Sequence, residues 1–324
     1  MSPDLTPALR AAIDREMAGV SRKDMAQRTA MTTAAYRGGG TSASVIRSRD
    51  DALAYALARL PATYAACTAV FSQALQIAPS FVPISLLDAG AGPAGGSWAA
   101  LAAWPSLRQV TWLDASVPFL DLAERLASHG PTGLQNADAR RADLTSPDAL
   151  PRADLVMASY ALAEIASSSQ AALVERLWSA CEGLLALIEP GTPAGYARIL
   201  AARETLIAAD AVILAPCGHA MACPLIPPDW CHFSVRLARS RDHRLVKGAE
   251  VPYEDEKFAY LVAARPHIAR EPHQPRVLAR PRVGKPGIEL KLCGPDGLQA
   301  RVVPKRDKPA YAVARRLGWG DALP

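Results

Sequence analysis

The sequence lacks the ~18 uninterrupted apolar residues of a membrane span; its alanine-rich runs are broken by Arg, Asp or Glu. It also lacks an apolar leader, since MSPDLTPALR opens without one. A soluble, cytoplasmic chain with no membrane partner is the expectation. Cysteine is sparse, six in 324 residues, and no two are spaced C-x2-C. The tight paired turn of a zinc knuckle is therefore missing, and a reducing cytosol argues against a disulfide framework. There is no internal repeat and no long low-complexity tract. Net charge is only +5, and half the residues are hydrophobic, enough for a sizeable core. The charge is uneven along the chain: from Arg265 to the C-terminus there are thirteen Lys/Arg against five Asp/Glu. Such a lobe suits a polyanionic partner, most often nucleic acid, or is simply a solvated surface.

What is present divides the chain into five stretches. Residues 1–80 carry helical spacing with no strand signal, and Pro61 divides RDDALAYALARLPATYAACTAVFSQAL into two helices. Residues 81–214 alternate strands such as ISLLDAG, QVTWLDA, ADLVMASYAL and GLLALIEPG with helices, the pattern of a doubly wound parallel sheet. Residues 215–250 are the cysteine-rich loop. Residues 251–270 supply closing strands; HFSVRLA, at 232–238, and KFAYLVAAR are read as an antiparallel hairpin on the sheet edge. Residues 271–324 hold RVLARPRV, GIELKLC and LQARVVPK around turn signals, a small basic β-appendage that ends in a short helix.

The turn LLDAGAGPAGG places Gly90, Gly92 and Gly95 between a strand and a helix, where backbone approaches a ligand closely and N–H groups are free. The spacing fits G-x-G-x-x-G, so a dinucleotide is one reading. Asp114, ending the next strand, suits a ribose under either cofactor. Asp88 adds D-x-G-x-G, which resembles the class I methyltransferase signature. That resemblance implies a loop organised around S-adenosylmethionine, with Asp143 near the adenine. Ser159 and ASYALAE then lie at the strand end where a methyl group is delivered. Tyr160 and Glu164 are the candidate catalytic residues, or equally packing and surface residues. That strand lacks an N-P-P-Y-like end, and no Pro-Cys pair follows it, so neither amino-directed nor cytosine-C5 chemistry is indicated.

Cys217, Cys223 and Cys231 are spaced C-x5-C-x7-C. Spacing this loose suits a loop wrapped around an iron–sulfur cluster, which needs thiolates, usually four. Cys67 and Cys181 sit in helical contexts and read as core thiols. Cys293, ending a strand of the appendage, is the best fourth ligand if that lobe folds back over the loop. His219 and His232 leave a Cys/His zinc site open. A radical S-adenosylmethionine enzyme, with its C-x3-C-x2-C triplet, is disfavoured.

The segments APCGHAMACPL, DWCHFSVRLAR and EDEKFAYLVAAR, with ARLPATYAA, LLDAGAGPAGG, ASYALAE, LIEPGTPAGY and ARRLGWGD, resemble a methyltransferase-like family. That family is associated with the small ribosomal subunit of bacteria and mitochondria, and the likeness runs from about residue 50 to residue 323. The resemblance implies a class I S-adenosylmethionine-dependent methyltransferase (Rossmann-like) α/β fold and a [4Fe–4S] cluster on Cys217, Cys223, Cys231 and Cys293. It further implies a monomer that acts in small-subunit assembly and contacts ribosomal RNA. Active rRNA methylation is the alternative, followed by dinucleotide redox chemistry and a zinc-stapled RNA binder. Ala94 departs from the commoner loop, which has a further glycine there.

Overall fold

Side-chain caps start the helices at the N-terminal end. The hydroxyls of Thr6, Ser21 and Ser48 accept from the backbone N–H three residues on, at 3.2–3.3 Å. They open α1 (Pro7–Glu16), α2 (Arg22–Arg37) and, after the short α3 (Ser42–Val45), α4 (Arg49–Ile77). The computed structural model describes residues 1–38 and 40–324.

The expected break at Pro61 does not occur: α4 is one helix of 29 residues with Pro61 inside it. An interior proline costs ~3 kcal/mol. Leu53, Leu57, Leu60, Tyr64, Val70 and Phe71 are all buried along this helix. At ~1.5–3 kcal/mol for each large apolar side chain, burial on both sides of Pro61 outweighs the lost hydrogen bond.

After α4 the chain alternates. The first half runs β1 (Ser85–Ala89), α5 (Gly95–Ala103), β2 (Gln109–Asp114), α6 (Val117–Ala127), α7 (Thr132–Gln135) and β3 (Asp138–Arg141). The second runs β4 (Ala153–Ser159), α8 (Ser167–Ala180), β5 (Cys181–Pro190), α9 (Pro193–Ala208) and β6 (Val212–Ala215). β1 to β5 pair in parallel in the order β3-β2-β1-β4-β5. This is the mixed α/β, largely parallel sheet that the alternation predicted. One face packs on α4, α5 and α6 and the other on α8 and α9, and each has its own apolar core. Cys67 and Cys181 are fully buried, although Cys181 opens β5 rather than ending a helix.

The remaining strands correct the expected edge hairpin. β7 (Phe233–Ala238) and, after α10 (Arg241–Lys247), β8 (Tyr253–Ala264) are antiparallel partners. β8, however, is interior, with β5 on one side and β6 on the other. β6 pairs with residues 262–264 of β8 and β7 with residues 253–258 of the same edge. β6 and β7 are thus two pieces of one broken edge strand, and residues 216–232, with three cysteines, leave the sheet at the break. The hydrophobic run of β8 reads equally well as an edge or an interior strand, so pairing partners had to decide.

The C-terminal lobe is a separate four-stranded sheet: β9 (Arg276–Val277), β10 (Arg282–Val283), β11 (Gly287–Gly294) and β12 (Gly297–Pro304), followed by α11 (Lys308–Ala314). RVLARPRV is two strands rather than one, both lying along β11, and Pro281, which has no N–H to give, falls in the gap. Val277, Ile288, Leu290, Leu292 and Val303 form the lobe's core. Among the described residues, no helix is long and apolar enough to cross a membrane.

Candidate functional site

The strand order reverses between β1 and β4, and ligands of open α/β sheets bind at the carboxyl ends of strands beside such a reversal. A cavity of about 320 Å³ lies there, lined by Gly90, Gly92, Asp114, Asp143, Ser159, Tyr160 and Glu164. Sequence-predicted residues from four separate strand ends thus meet in one place.

The loop is shaped by its glycines. Gly90 has φ +77°, and a Cβ there would lie 2.7 Å from that of Ala161. Its N–H and that of Ala91 turn back onto the Leu113 carbonyl, at 2.7 and 3.1 Å. Gly92 N–H donates to one carboxylate oxygen of Asp114 at 2.8 Å, and Ser116 N–H donates to the other at 2.8 Å. Burial raises the Asp114 pKa, and these two N–H groups oppose the shift.

Asp88 and Gly95 sit behind this wall. Asp88 is fully buried; one oxygen accepts from the Ser97 hydroxyl at 2.7 Å and the other has no partner. Burial pushes its pKa up to about 7. Gly95 packs on Leu60, whose Cγ would lie 3.2 Å from an added Cβ. Asp143 is exposed and closes its own turn, accepting from the Thr145 N–H and hydroxyl at 2.8 and 2.7 Å. Ala94 begins α5 in the left-handed region at φ 60°.

The two candidate catalytic groups already have partners. The Tyr160 hydroxyl donates to Glu256 at 2.8 Å, and Glu256 pairs with Arg59 at 3.1 Å. Burial and the Glu256 charge hold the Tyr160 phenol well above its ordinary pKa. Tyr160 also sits at φ 60°, a strained conformation for an aromatic residue. Glu164 accepts from both the N–H and the hydroxyl of Ser42, each at 2.6 Å, and Tyr36 lies 2.8 Å from the same hydroxyl. Glu164 thereby ties α3 over the cavity. Thr41, Ser42, Ala43, Tyr55 and Phe119 also line it. Sequence reading missed them; the RGGGTSAS break was a local signal for Thr41, Ser42 and Ala43, and Tyr55 and Phe119 had none. A second cavity, about 640 Å³, adjoins the first and shares Thr41, Tyr55, Tyr160 and Glu164 with it.

The cysteines form a second centre. Cys217, Cys223, Cys231 and Cys293 line one narrow, largely apolar cavity of about 30 Å³. The lobe does fold over the loop. A Cβ on Gly218 would lie 3.1 Å from the Pro295 nitrogen, the Cys293 sulfur is 3.7 Å from His219 Nε2, and Lys291 pairs with Asp229. Burial pushes the Cys293 thiol up to about 11, with the Cys217 and Cys223 charges adding to it. Among the described residues, no three His, Cys, Asp or Glu side chains are grouped tightly enough to hold a single metal ion. His219 lines this cavity, whereas His232 stacks on Trp230 at 4.8 Å and meets the edge of Trp319 at 4.7 Å. Trp230 in turn donates to the Gly191 carbonyl at 3.1 Å, fixing the loop beside the end of β5. One face of α9 closes the cavity with Tyr196, Ile199, Leu200 and Arg203, at i, i+3, i+4 and i+7. The periodicity of α9 was legible in sequence, but what that face covers was not.

Arg282, Lys285, Arg301, Lys305, Arg306 and Arg316 are exposed on the lobe. Among the described residues, none of the six pairs with a carboxylate, which leaves their charge available to an anionic surface.

Comparison with known proteins fits this layout. The chain is 30% identical over 294 residues to the human ribosome assembly protein METTL17, mitochondrial, covering 84% of this chain and 62% of that protein. It is 27% identical over 329 residues to the Rsm22-cox11 tandem protein 2, mitochondrial, of Schizosaccharomyces pombe, covering 84% and 43% respectively. The chain therefore spans less than two thirds of the length of either relative. Among solved structures, it resembles magnesium protoporphyrin IX methyltransferase from Synechocystis with bound SAM (TM-score 0.41, 16% identity, 64% of this chain and 84% of that one). It also resembles precorrin-6y C5,15-methyltransferase from Geobacter metallireducens (TM-score 0.39, 16% identity, 61% and 86%). Likeness at that level carries no weight for ligand or activity. The model of the family described as mitochondrial small ribosomal subunit Rsm22 matches residues 49–324, and the chain belongs to that family.

Proposed function

We propose that this protein is an assembly factor for the small ribosomal subunit that binds S-adenosylmethionine in the crevice beside β1 and β4. In this reading a [4Fe–4S] cluster sits on Cys217, Cys223, Cys231 and Cys293, and the basic lobe meets ribosomal RNA. Family membership and the METTL17 relative support the assembly role. The observation that carries the reading is the arrival of Cys293, 62 residues after Cys231, at the cavity lined by the other three thiols.

The residues fit both groups. Gly90 and Gly92 take the left-handed backbone that bends the loop to the cavity, at φ +77° and +54°, and Asp114 presents an acceptor held by backbone N–H groups. S-adenosylmethionine supplies an activated methyl group when bound. Four thiols match an iron–sulfur cluster in number and chemistry. They line a gap rather than meet at one point, whereas zinc would need all its sulfurs about 2.3 Å from a single ion. A cluster supplies thiolate bonds that tie loop and lobe together, and Gly218, His219 and Lys291 already hold the two in register.

Assembly is favoured over methyl transfer because the candidate catalytic groups are engaged. Tyr160 orients Glu256, and Glu164 holds Ser42. Neither offers a free base at the cavity wall, which a protonated nucleophile would need.

The test is iron and sulfide analysis of anaerobically purified protein with each cysteine replaced in turn. Iron and sulfide in the parent, and loss of both on replacing any of the four, is the expected result. Zinc without sulfide would refute the cluster. S-adenosylmethionine binding by titration, with no labelled methyl passed to small-subunit RNA, is expected of the assembly factor; robust transfer would make it an enzyme.

A further inference from the structure

Arg203 on α9 is 3% exposed. One of its terminal nitrogens donates to the carbonyls of His219 and Met221, at 2.6 and 2.8 Å. Its Nε has no partner, and among the described residues no carboxylate lies within ion-pair distance of it. A buried guanidinium without a counter-charge is costly, and proteins retain one where an anion answers it. The groups that share this largely apolar cavity with it and can carry negative charge include the four cysteine thiols. On the same face, two turns earlier, the Tyr196 hydroxyl donates to the sulfur of Cys223 at 3.1 Å. α9 belongs to the sheet domain rather than to the cysteine segment, so both residues reach the cavity from a rigid element.

We infer that Tyr196 and Arg203 are positioning residues that act through the cysteine sulfurs and set the electron affinity of the centre those sulfurs hold. This rests on the iron–sulfur reading of the four cysteines. Hydrogen bonds and positive charge beside ligating sulfur stabilise the more negative, reduced form and raise its potential. Tyr196 gives the Cys223 sulfur such a bond, and Arg203 places a buried cation next to the loop that carries Cys217 and Cys223. Each residue also braces structure: Arg203 clamps the loop at two carbonyls, and Tyr196 packs at the rim. A purely structural role would leave the potential where it is.

The experiment uses the full chain purified anaerobically with its iron and sulfide, as parent, Tyr196→Phe, Arg203→Lys and Arg203→Gln. Iron and sulfide per chain, circular dichroism, and the midpoint potential from a mediated reductive titration followed by electron paramagnetic resonance are read on each. The expected result is parental iron and fold in Tyr196→Phe with a more negative midpoint. Arg203→Gln is expected to shift in the same direction, and Arg203→Lys, which keeps the charge, to lie nearer the parent. A parental midpoint in both Tyr196→Phe and Arg203→Gln overturns the inference, as does a Tyr196→Phe protein that folds but holds no iron. Absence of iron and sulfide from the parent is a different result, which removes the cluster reading beneath it.

Discussion

The sulfur of Cys293, at the end of β11, lies 3.7 Å from Nε2 of His219, which stands 74 residues earlier in the chain. This contact joins two lobes with separate apolar cores. Replacing Cys293 with Ser is expected to abolish most of the bound iron and to expose residues 271–286 to faster limited proteolysis. The melting of the sheet domain should change little. Iron retained at the parental level would detach Cys293 from the site.

Tyr160→Phe deletes one hydrogen bond to the Glu256 carboxylate, which is 10% exposed and already paired with Arg59. Bonds to charged groups contribute ~1.5–3 kcal/mol. Chemical denaturation should report a destabilisation of that order, with S-adenosylmethionine affinity nearly unchanged. A variant of full stability without the methyl-transfer activity of its parent would instead make Tyr160 a catalytic residue.

Gly90→Ala places a methyl 2.7 Å from the Ala161 Cβ, at φ +77°. A left-handed L-residue costs ~1–2 kcal/mol before the clash is counted. Calorimetric titration is expected to show S-adenosylmethionine affinity falling by about tenfold or more, equivalent to ~1.4 kcal/mol. Unaltered binding would place the cofactor elsewhere.

Asp88 gives a pH signature. Its pKa rises from 3.8 in the unfolded chain to about 7 when buried, so the folded state binds the proton more tightly. Its contribution to stability is therefore full below the unfolded value and is lost as pH climbs from about 4 through about 7. Denaturation midpoints of the ligand-free protein should decline across that window, and Asp88→Asn should flatten this part of the profile. An identical slope in the variant would assign it to other groups.

The basic lobe makes a prediction about salt. Arg301 is exposed within β12, and Lys305 and Arg306 just beyond it. Replacing all three with Ala should weaken binding to small-subunit RNA. The dependence of log K on log salt should become shallower by ~0.7–0.9 for each phosphate that is no longer neutralised. Filter binding between low and physiological salt measures both. An unchanged slope would move the RNA-binding surface off this face.

Local pattern was enough for much of this protein. Alternating apolar strands and helices wrote the parallel sheet, the glycines wrote the turn after β1, and composition wrote the basic lobe, because each depends on neighbours within a few residues. Pro61 shows where that stops: a proline breaks an isolated helix, and only burial along both halves of α4 keeps this one whole. β8 shows it again, since its sequence does not reveal that β6 and β7 share one of its edges. The cysteine cavity is a matter of tertiary structure throughout. Spacing nominated three thiols and a strand end suggested the fourth, but only the docking of the C-terminal sheet brings Cys293 to the others, at a cavity that Tyr196 and Arg203 of α9 also line. Pairings between segments that far apart leave no periodic trace in the chain, because they are selected by how whole surfaces pack.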